Sequence, residues 1–177
     1  MLKNYRRFRC EINKSGEKID LSNTDLSGLN LRCYNLINAN LKGSNLSNAN
    51  LYISDLSSAN LEGANLNNAN LEHSDLNNAN LKGANFSNAN LEGSDLRSAN
   101  MQGANFSNAN LKGSDLSTSN MQGANFSNVN LTNADLAHAI LENTNLNSAN
   151  MQDAQLYETN IDNSNCENVN LDNAYLD

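Results

Sequence analysis

The sequence contains no proline and no tryptophan, and only 5% of its 177 residues are aromatic. Its hydrophobic fraction is 38% and its mean hydropathy is −0.61. A conventional layered core needs large apolar side chains on each helix or sheet face, and this composition does not supply them. Low hydropathy with a net charge of −8 is typical of disorder, so a folded state requires some other ordering principle.

Several targeting and crosslinking features are also absent. No run of eighteen apolar residues is present, so no membrane span is predicted. The first ten residues are basic and have no apolar segment, so we expect no signal peptide. The cysteines, Cys10, Cys33 and Cys166, are scattered and odd in number, which favours reduced thiols and a cytoplasmic location.

The ordering principle is a five-residue register. Every fifth residue from Leu21 to Leu176 is apolar, giving 32 such positions, 24 of them Leu. A small residue stands two positions before the apolar centre in 29 of 32 cases, and Asn or Asp stands one position before it equally often. Random polar sequence does not keep such a register, so it outweighs the composition and predicts an ordered domain over residues 19–177.

The period of five fits neither the 3.6-residue repeat of a helix nor the two-residue repeat of a strand. A second period of 20 appears in Phe86, Phe106 and Phe126. Together they predict a solenoid of about eight square coils, with one pentad on each side and neighbouring coils paired about 4.8 Å apart. The apolar centre and the small residue point inward. Gly and Asn supply the turns in two columns: Gly43, Gly63, Gly83, Gly103 and Gly123, and Asn48, Asn68, Asn88, Asn108 and Asn128.

Pentads such as Ala64-Asn65-Leu66-Asn67-Asn68 resemble the pentapeptide-repeat family, whose consensus is Ala-(Asp/Asn)-Leu-x-x. The resemblance covers residues 19–177 and implies an all-β fold, a right-handed quadrilateral parallel β-helix. It implies little about activity, because one fold serves many functions.

Residues 1–18 precede the register and are predicted to cap the first coil, which otherwise exposes unpaired strand groups. Leu2, Tyr5, Phe8 and Ile12 recur as on one face of a short helix, which we favour. Phe8 and Ile12, with Cys10 between them, also fit one face of a strand. A basic arm for nucleic acid or lipid is the alternative to a cap.

Apolar departures from the pattern cluster near the two ends of the repeat. Leu29, Tyr34, Ile37, Tyr52 and Ile53 break it in the first two coils. We expect them to pack beneath residues 1–18; the alternative is a partner-binding patch.

The last coils carry a second set of departures. Ile140, Gln155 and Tyr175 replace the Asn or Asp before the apolar centre, and His138, Ile140 and Tyr157 are predicted to lie near one edge. The last coil has no predicted cap of its own. Because an uncapped end is an exposed strand edge, pairing of two C-terminal ends into a homodimer is a further prediction.

Acidic residues form a second regular feature. Aspartates recur every 20 residues in one predicted column, with Glu72 and Glu92 on the adjoining side. Asp fits a turn as Asn does, and net charge favours solubility, so a purely structural role is one interpretation. Mimicry of a nucleic-acid surface is the other, since DNA presents one charge per 3.4 Å of strand. The candidate interaction surface comprises Asp55, Asp75, Asp95, Asp115, Asp135, Glu72, Glu92, His138, Ile140, Tyr157 and Tyr175.

Catalytic and metal-binding constellations are not evident. His73, Ser74 and Asp75 are consecutive, and a catalytic triad is defined by geometry rather than adjacency. His73 and Cys33 share a predicted column but lie two coils, roughly 10 Å, apart. We therefore predict no enzyme activity, no cofactor and no metal.

The sequence thus favours a non-catalytic scaffold that binds a protein partner, without direct binding to nucleic acid or membrane. The alternative comes from the resemblance. Some pentapeptide-repeat proteins confer quinolone resistance by acting on DNA gyrase as rods that resemble duplex DNA. This chain shares their repeat and acidity but not the projecting loops that many of them carry.

Overall fold

The computed structural model describes residues 19–176, which form one continuous β-solenoid. In this part of the chain there are no helices. Each pentad contributes a single bridge residue, then the apolar centre, then a two-residue turn. The bridges are parallel and join residues 20 apart, from Asp20–Asn40 to Gln155–Tyr175. The square coil of four pentads is therefore confirmed. The predicted cap, residues 1–18, lies outside the described residues.

The pentad hydrogen-bonds all five of its backbone N–H groups, as residues 64–68 illustrate. Ala64 donates to the carbonyl three residues earlier, and Asn65 donates to the preceding coil. Leu66 and Asn68 donate to the following coil. Asn67 donates to the side-chain Oδ1 of Asn65 at 3.2 Å. The Asn or Asp before the centre is thus the acceptor that completes the backbone, because its side chain can bend back over the next two residues.

Turns at all four sides use left-handed backbone. The residue two after each centre has a positive φ, between 50° and 68°, from Asn23 to Asn173. Gly63 occupies this position with a φ of 64° and Asn68 with a φ of 57°. Because Gly and Asn adopt this region more readily than other residues do, the predicted turn columns are confirmed.

Apolar centres fill the interior. Every centre from Leu41 to Leu146 is at most 1% exposed. The Phe86 and Phe106 rings stack at 4.7 Å between centroids, and Phe106 and Phe126 at 4.8 Å. These separations match the spacing of neighbouring parallel strands, so the phenylalanine column reports the rise of one coil directly.

We number the coils in chain order, with coil 1 at 19–38 and each later coil 20 residues on, so that coil 8 begins at 159. Sides 1 to 4 of a coil are its successive pentads. In coil 5 their centres are Met101, Phe106, Leu111 and Leu116. Sides 2 and 4 lie opposite each other across the rod, as do sides 1 and 3.

The two ends of the described solenoid differ in exposure. In coil 1, Leu26 and Leu31 are 1% and 5% exposed. In coil 8, Ile161, Leu171 and Leu176 are 49%, 43% and 62% exposed. None of the residues from 19 to 176 forms a helix that is long and apolar enough to cross a membrane.

Candidate interaction surface

The five aspartates form one column along side 4. Asp55, Asp75, Asp95, Asp115 and Asp135 are joined in sequence by parallel bridges. Each Oδ1 accepts the backbone N–H two residues on, at 2.9–3.0 Å. The aspartates therefore serve the same turn role as asparagines, which explains why the fold tolerates them.

Asparagine columns make a second bond that aspartate does not. On side 2, each Asn side chain from Asn45 to Asn145 donates Nδ2 to the Oδ1 one coil earlier, at 3.0–3.2 Å. A carboxylate has no hydrogen to donate, and like charges stacked at this spacing repel. The aspartate column thus gives up stability that asparagine would supply.

Arg97 interrupts the negative column, and the sequence prediction missed it. Its Nε lies 2.9 and 3.0 Å from the two carboxylate oxygens of Asp95, and 3.6 Å from Oδ2 of Asp115. The hydrogen bond from Arg97 lowers the pKa of Asp95, while that contact raises the pKa of the arginine. The sequence feature that could have revealed this pair is the two-residue spacing of Asp95 and Arg97, which places both side chains on side 4.

Aromatic and aliphatic groups extend side 4 beyond the aspartates. The rings of His138 and Tyr157 meet edge to face, with centroids 5.3 Å apart and an interplanar angle of 88°. His138 Nδ1 lies 3.1 Å from Oε2 of Glu158, and a hydrogen bond to Glu158 raises the pKa of Tyr157. The structure therefore brings His138 and Tyr157 together and adds Glu158, which the sequence analysis did not select.

Two other predicted residues lie close to this cluster. Tyr175 stands in the aspartate column, after Gln155, and is 60% exposed. Ile140 is the second residue of the next pentad, which forms side 1 of coil 7, and it is 41% exposed. The aspartate column and the C-terminal patch, which the sequence suggested separately, thus form a continuous surface along side 4 and its edge.

Glu72 and Glu92 lie apart from this surface, on side 3. Glu72 Oε1 lies 3.8 Å from His73, and Glu92 Oε1 lies 3.8 Å from Lys112. Their other oxygens accept Asn side-chain amides of the following coil, at 3.4 and 3.2 Å. These glutamates take part in local pairs and do not extend the aspartate column.

Side 3 also carries a stack that the sequence analysis only partly recognised. The guanidinium of Arg32 lies 4.4 Å from the ring centroid of Tyr52, whose edge approaches the ring of His73 at 6.1 Å. Ile53 beside it is 46% exposed. The 20-residue spacing of Arg32 and Tyr52 could have predicted this stack, because it places the two residues in one column.

The consecutive residues His73, Ser74 and Asp75 do not form a catalytic triad. Ser74 is 2% exposed and its hydroxyl donates to the carbonyl of Leu71, so it faces inward as expected. Among residues 19–176, no three His, Cys, Asp or Glu side chains are grouped so that they could hold a metal ion.

Comparison with known proteins identifies the repeat. The model described as a pentapeptide repeat region matches residues 15–86 and 53–126, and the model for pentapeptide repeats (8 copies) matches residues 124–163 and 149–177. A search of curated proteins found no match.

Two solved structures share the fold, and a third is similar in sequence. Two trypsin-treated variants of QnrB1, a plasmid-mediated fluoroquinolone resistance protein, are 20% and 21% identical and have TM-scores of 0.68 and 0.69. They cover 92% of this chain and 84% and 83% of their own. Rfr23, a pentapeptide repeat protein from the cyanobacterium Cyanothece 51142, is 37% identical over 78% of this chain and 64% of its own, with a TM-score of 0.27.

The predicted fold class, an all-β right-handed quadrilateral parallel β-helix, is confirmed by these findings. The family models together span nearly the whole sequence. This chain therefore belongs to the pentapeptide-repeat family.

Proposed function

We propose that this protein is a non-catalytic interaction scaffold, a rod that presents side 4 to a protein partner. The observation that carries the proposal is that the aspartate column and the exposed tyrosines of coils 7 and 8 lie on one side. The aspartate column, Tyr157 and Tyr175 all lie there, and His138 contacts Tyr157. Packing does not require the aspartates, because asparagine would serve the same backbone positions with an additional hydrogen bond.

The uniformity of the interior supports the same proposal. Centres from coil 2 to coil 7 are buried, and each coil is held to the next by the same backbone hydrogen bonds. Such a rod holds its surface residues at fixed spacing, so it reduces the ordering cost of binding a partner along its length.

A site-specific crosslinking experiment tests this proposal. A photo-crosslinking amino acid is placed at Ser117 on side 4 or at Ser107 on side 2, which are equivalent positions of coil 5 on opposite sides. After irradiation in cells of the natural host, we expect a discrete crosslinked protein from the Ser117 position and none from Ser107. Equal crosslinking from both positions, or none from either, would contradict a partner on side 4.

A second candidate function is inhibition or protection of DNA gyrase by mimicry of duplex DNA. The aspartate column favours it, because its charges recur at the coil spacing of about 4.8 Å along the rod. The similarity to QnrB1 supports a shared fold, and Arg97 counts against a continuous phosphate-like stripe.

Purified gyrase distinguishes the two candidate functions. If the mimicry proposal is correct, the protein changes supercoiling or drug-induced DNA cleavage, and replacing the five aspartates by asparagine abolishes the effect. No effect at micromolar protein would remove this candidate and leave the scaffold proposal intact.

Homodimerisation through the C-terminal coils is a separate proposal. Its support is the exposure of Ile161, Leu171 and Leu176, whose equivalents in coils 2 to 6 are buried. Multi-angle light scattering should then show twice the monomer mass at high protein concentration. A monomer throughout the concentration range would contradict the proposal.

A further inference from the structure

We propose that side 4 binds the basic face of a partner's α-helix, and that Arg97 selects an acidic residue at the centre of that face. The inference rests on the proposed scaffold function and specifies the class of partner. It concerns the same surface, defined by the aspartate column, Arg97 and the exposed side chains of coils 7 and 8.

Charge distinguishes side 4 from the other three. Between residues 19 and 176, side 4 carries six acidic residues and one basic residue, whereas sides 1 and 3 each carry four acidic and two basic residues. Side 2 has no charged residue from coil 2 to coil 7. A cationic partner is therefore favoured on side 4, and complementary charge also sets its orientation.

Three carboxylates of the aspartate column are available to a partner. Within the described part of the chain, protein donors reach only Oδ1 of Asp55, Asp75 and Asp135, and Oδ2 of each accepts no hydrogen bond. The neighbouring outward residues in these coils are the short Ser57 and Ala137, together with an asparagine. In these three coils, one oxygen of each column carboxylate is therefore free to accept a hydrogen bond from a partner, whereas Asp95 and Asp115 are already contacted by Arg97.

Spacing along the rod favours a helix over an extended segment. Asp55 and Asp135 are four coils apart, or about 19 Å. Four helical turns cover about 22 Å, because the pitch is about 5.4 Å. Five alternate residues of a β-strand span about 27 Å. Flexible Lys and Arg side chains absorb a mismatch of about 3 Å far more readily than one of about 8 Å.

Arg97 gives the surface a pattern of charge. It neutralises Asp95 at the centre of the column, and its side chain is 55% exposed. A lysine of the partner at this level would face an arginine, and like charges placed together oppose binding. The complementary helix therefore carries basic residues opposite Asp55, Asp75, Asp115 and Asp135, and an acidic residue opposite Arg97.

The exposed apolar side chains of Ile140, Tyr157 and Tyr175 determine where one end of the bound helix lies. Tyr157 lies on side 4 one coil beyond Asp135, and Tyr175 lies one coil further. They are 46% and 60% exposed, and Ile140 at the adjoining corner is 41% exposed. An apolar residue one turn beyond the last basic residue of the helix would contact this cluster, because one helical turn and one coil are similar in rise.

Synthetic helices test the charge pattern. The first is an alanine-rich, fluorescently labelled peptide with lysines at the four outer turns of one face, glutamate at the central turn and leucine one turn beyond. The second replaces the glutamate by lysine. The third has the composition of the first, with its charges distributed around the helix. Binding to the full-length protein is measured by fluorescence anisotropy.

Wild-type protein should bind the glutamate peptide about tenfold more tightly than the all-lysine peptide, although the latter has the higher positive charge. Arg97→Gln should reverse this order. Non-specific attraction predicts the opposite preference for wild type. Preference of wild type for the all-lysine peptide, equal binding of the third peptide, or binding of none of the three would each overturn the proposal.

Two charge-matched protein variants provide the control. One replaces all five column aspartates by asparagine, which the fold accepts. The other neutralises five carboxylates on sides 1 and 3: Glu62→Gln, Glu142→Gln, Asp153→Asn, Asp162→Asn and Asp172→Asn. Only the first should lose binding of the glutamate peptide, and equal loss in both would overturn the proposal.

The anchoring contact has its own control. Tyr157→Ser should weaken binding several-fold, and Tyr157→Phe should retain it, because the ring supplies the apolar contact. Equal binding by wild type and the serine variant would overturn the anchoring contact.

Failure of this inference is distinguishable from failure of the scaffold function. If Ser117 still crosslinks a discrete protein but no helical peptide binds, the scaffold stands and its partner is not a basic helix. If Ser117 gives no crosslink, the scaffold proposal itself falls.

Discussion

Replacing Asp75 by asparagine should stabilise the rod, although it removes a charge from the candidate surface. Asp75 stacks between Asp55 and Asp95, and Arg97 neutralises only the latter. Asp75→Asn therefore mainly relieves the repulsion between the carboxylates of Asp55 and Asp75. The side-chain oxygen of the introduced asparagine would still accept the hydrogen bond from the backbone N–H of Asn77, which Asp75 accepts at 2.9 Å.

The expected gain has two parts. Carboxylates about 5 Å apart repel by roughly 0.8 kcal/mol in water at low salt. The new amide would also donate to Asp55, as Asn65 donates to Asn45 on side 2 at 3.2 Å. A hydrogen bond of this kind contributes about 0.5–1.5 kcal/mol. The free energy of unfolding should therefore rise by about 1–2 kcal/mol at low salt.

Thermal unfolding followed by circular dichroism measures this change. For a chain of this length, 1 kcal/mol corresponds to about 2–4 °C in Tm. The gain should shrink as salt screens the repulsion, and the part due to the hydrogen bond should remain.

Asn65→Asp is the matched control, in the same coil and at the same pentad position. It removes the donor to Asn45 while keeping an acceptor for Asn67 and Asn85, so it should destabilise by about 0.5–1.5 kcal/mol. If Asp75→Asn left Tm unchanged or lowered it at low salt, the argument that the aspartate column gives up stability would be refuted.

Three further predictions concern the fold and its charges. Leu96→Asp should lower the free energy of unfolding by several kcal/mol or unfold the rod, because Leu96 is 0% exposed and the buried charge would have no partner. Leu96→Met is the volume-conserving control. A soluble, fully β-structured aspartate variant would contradict the assignment of Leu96 to the interior. Asn85→Ala should cost about 1–3 kcal/mol in urea unfolding, because the backbone N–H of Ser87 loses its acceptor; Asn85→Asp keeps that acceptor and should be milder. The stabilisation of folded Asp95 by Arg97 is present above the unfolded pKa, near 3.8, and is lost as pH falls through the lower folded pKa. Arg97→Gln should therefore lower Tm at pH 7, and the difference from wild type should disappear under strongly acidic conditions; a constant difference across that range would rule out this pair as its source.

Most of the fold followed from the sequence, because in a solenoid each residue's neighbours are set by a fixed offset in the chain. Phe86, Phe106 and Phe126 stack because they are 20 residues apart, and Ser74 faces inward because it stands two before a centre. The same offset would have revealed the Arg32–Tyr52 stack. The five-residue register alone thus predicts which residues stack in columns, which are buried in the core and which form the turns.

The candidate surface was less predictable from the sequence. The partner of a side chain depends on the direction in which that side chain extends, and not only on the column in which its residue lies. Asp95 looked equivalent to Asp75 in sequence, yet the reach of Arg97 neutralises one and not the other. Glu72 and Glu92 lie on the side adjoining the aspartates, as the register predicted, but the sequence did not indicate that they pair locally with His73 and Lys112. Long charged side chains have several rotamers, and the sequence pattern does not specify which one is adopted.

The sequence by itself determined the solenoid, its four-pentad coil, the buried centres and the turn residues, since backbone hydrogen bonding and burial repeat identically every five residues. Tertiary structure decided that Arg97 pairs with Asp95 and so divides the aspartate column, and that His138 contacts both the ring of Tyr157 and the carboxylate of Glu158. These features depend on which side chains face each other across coils and on where their charged atoms reach. Such contacts are three-dimensional, and a one-dimensional register does not contain them.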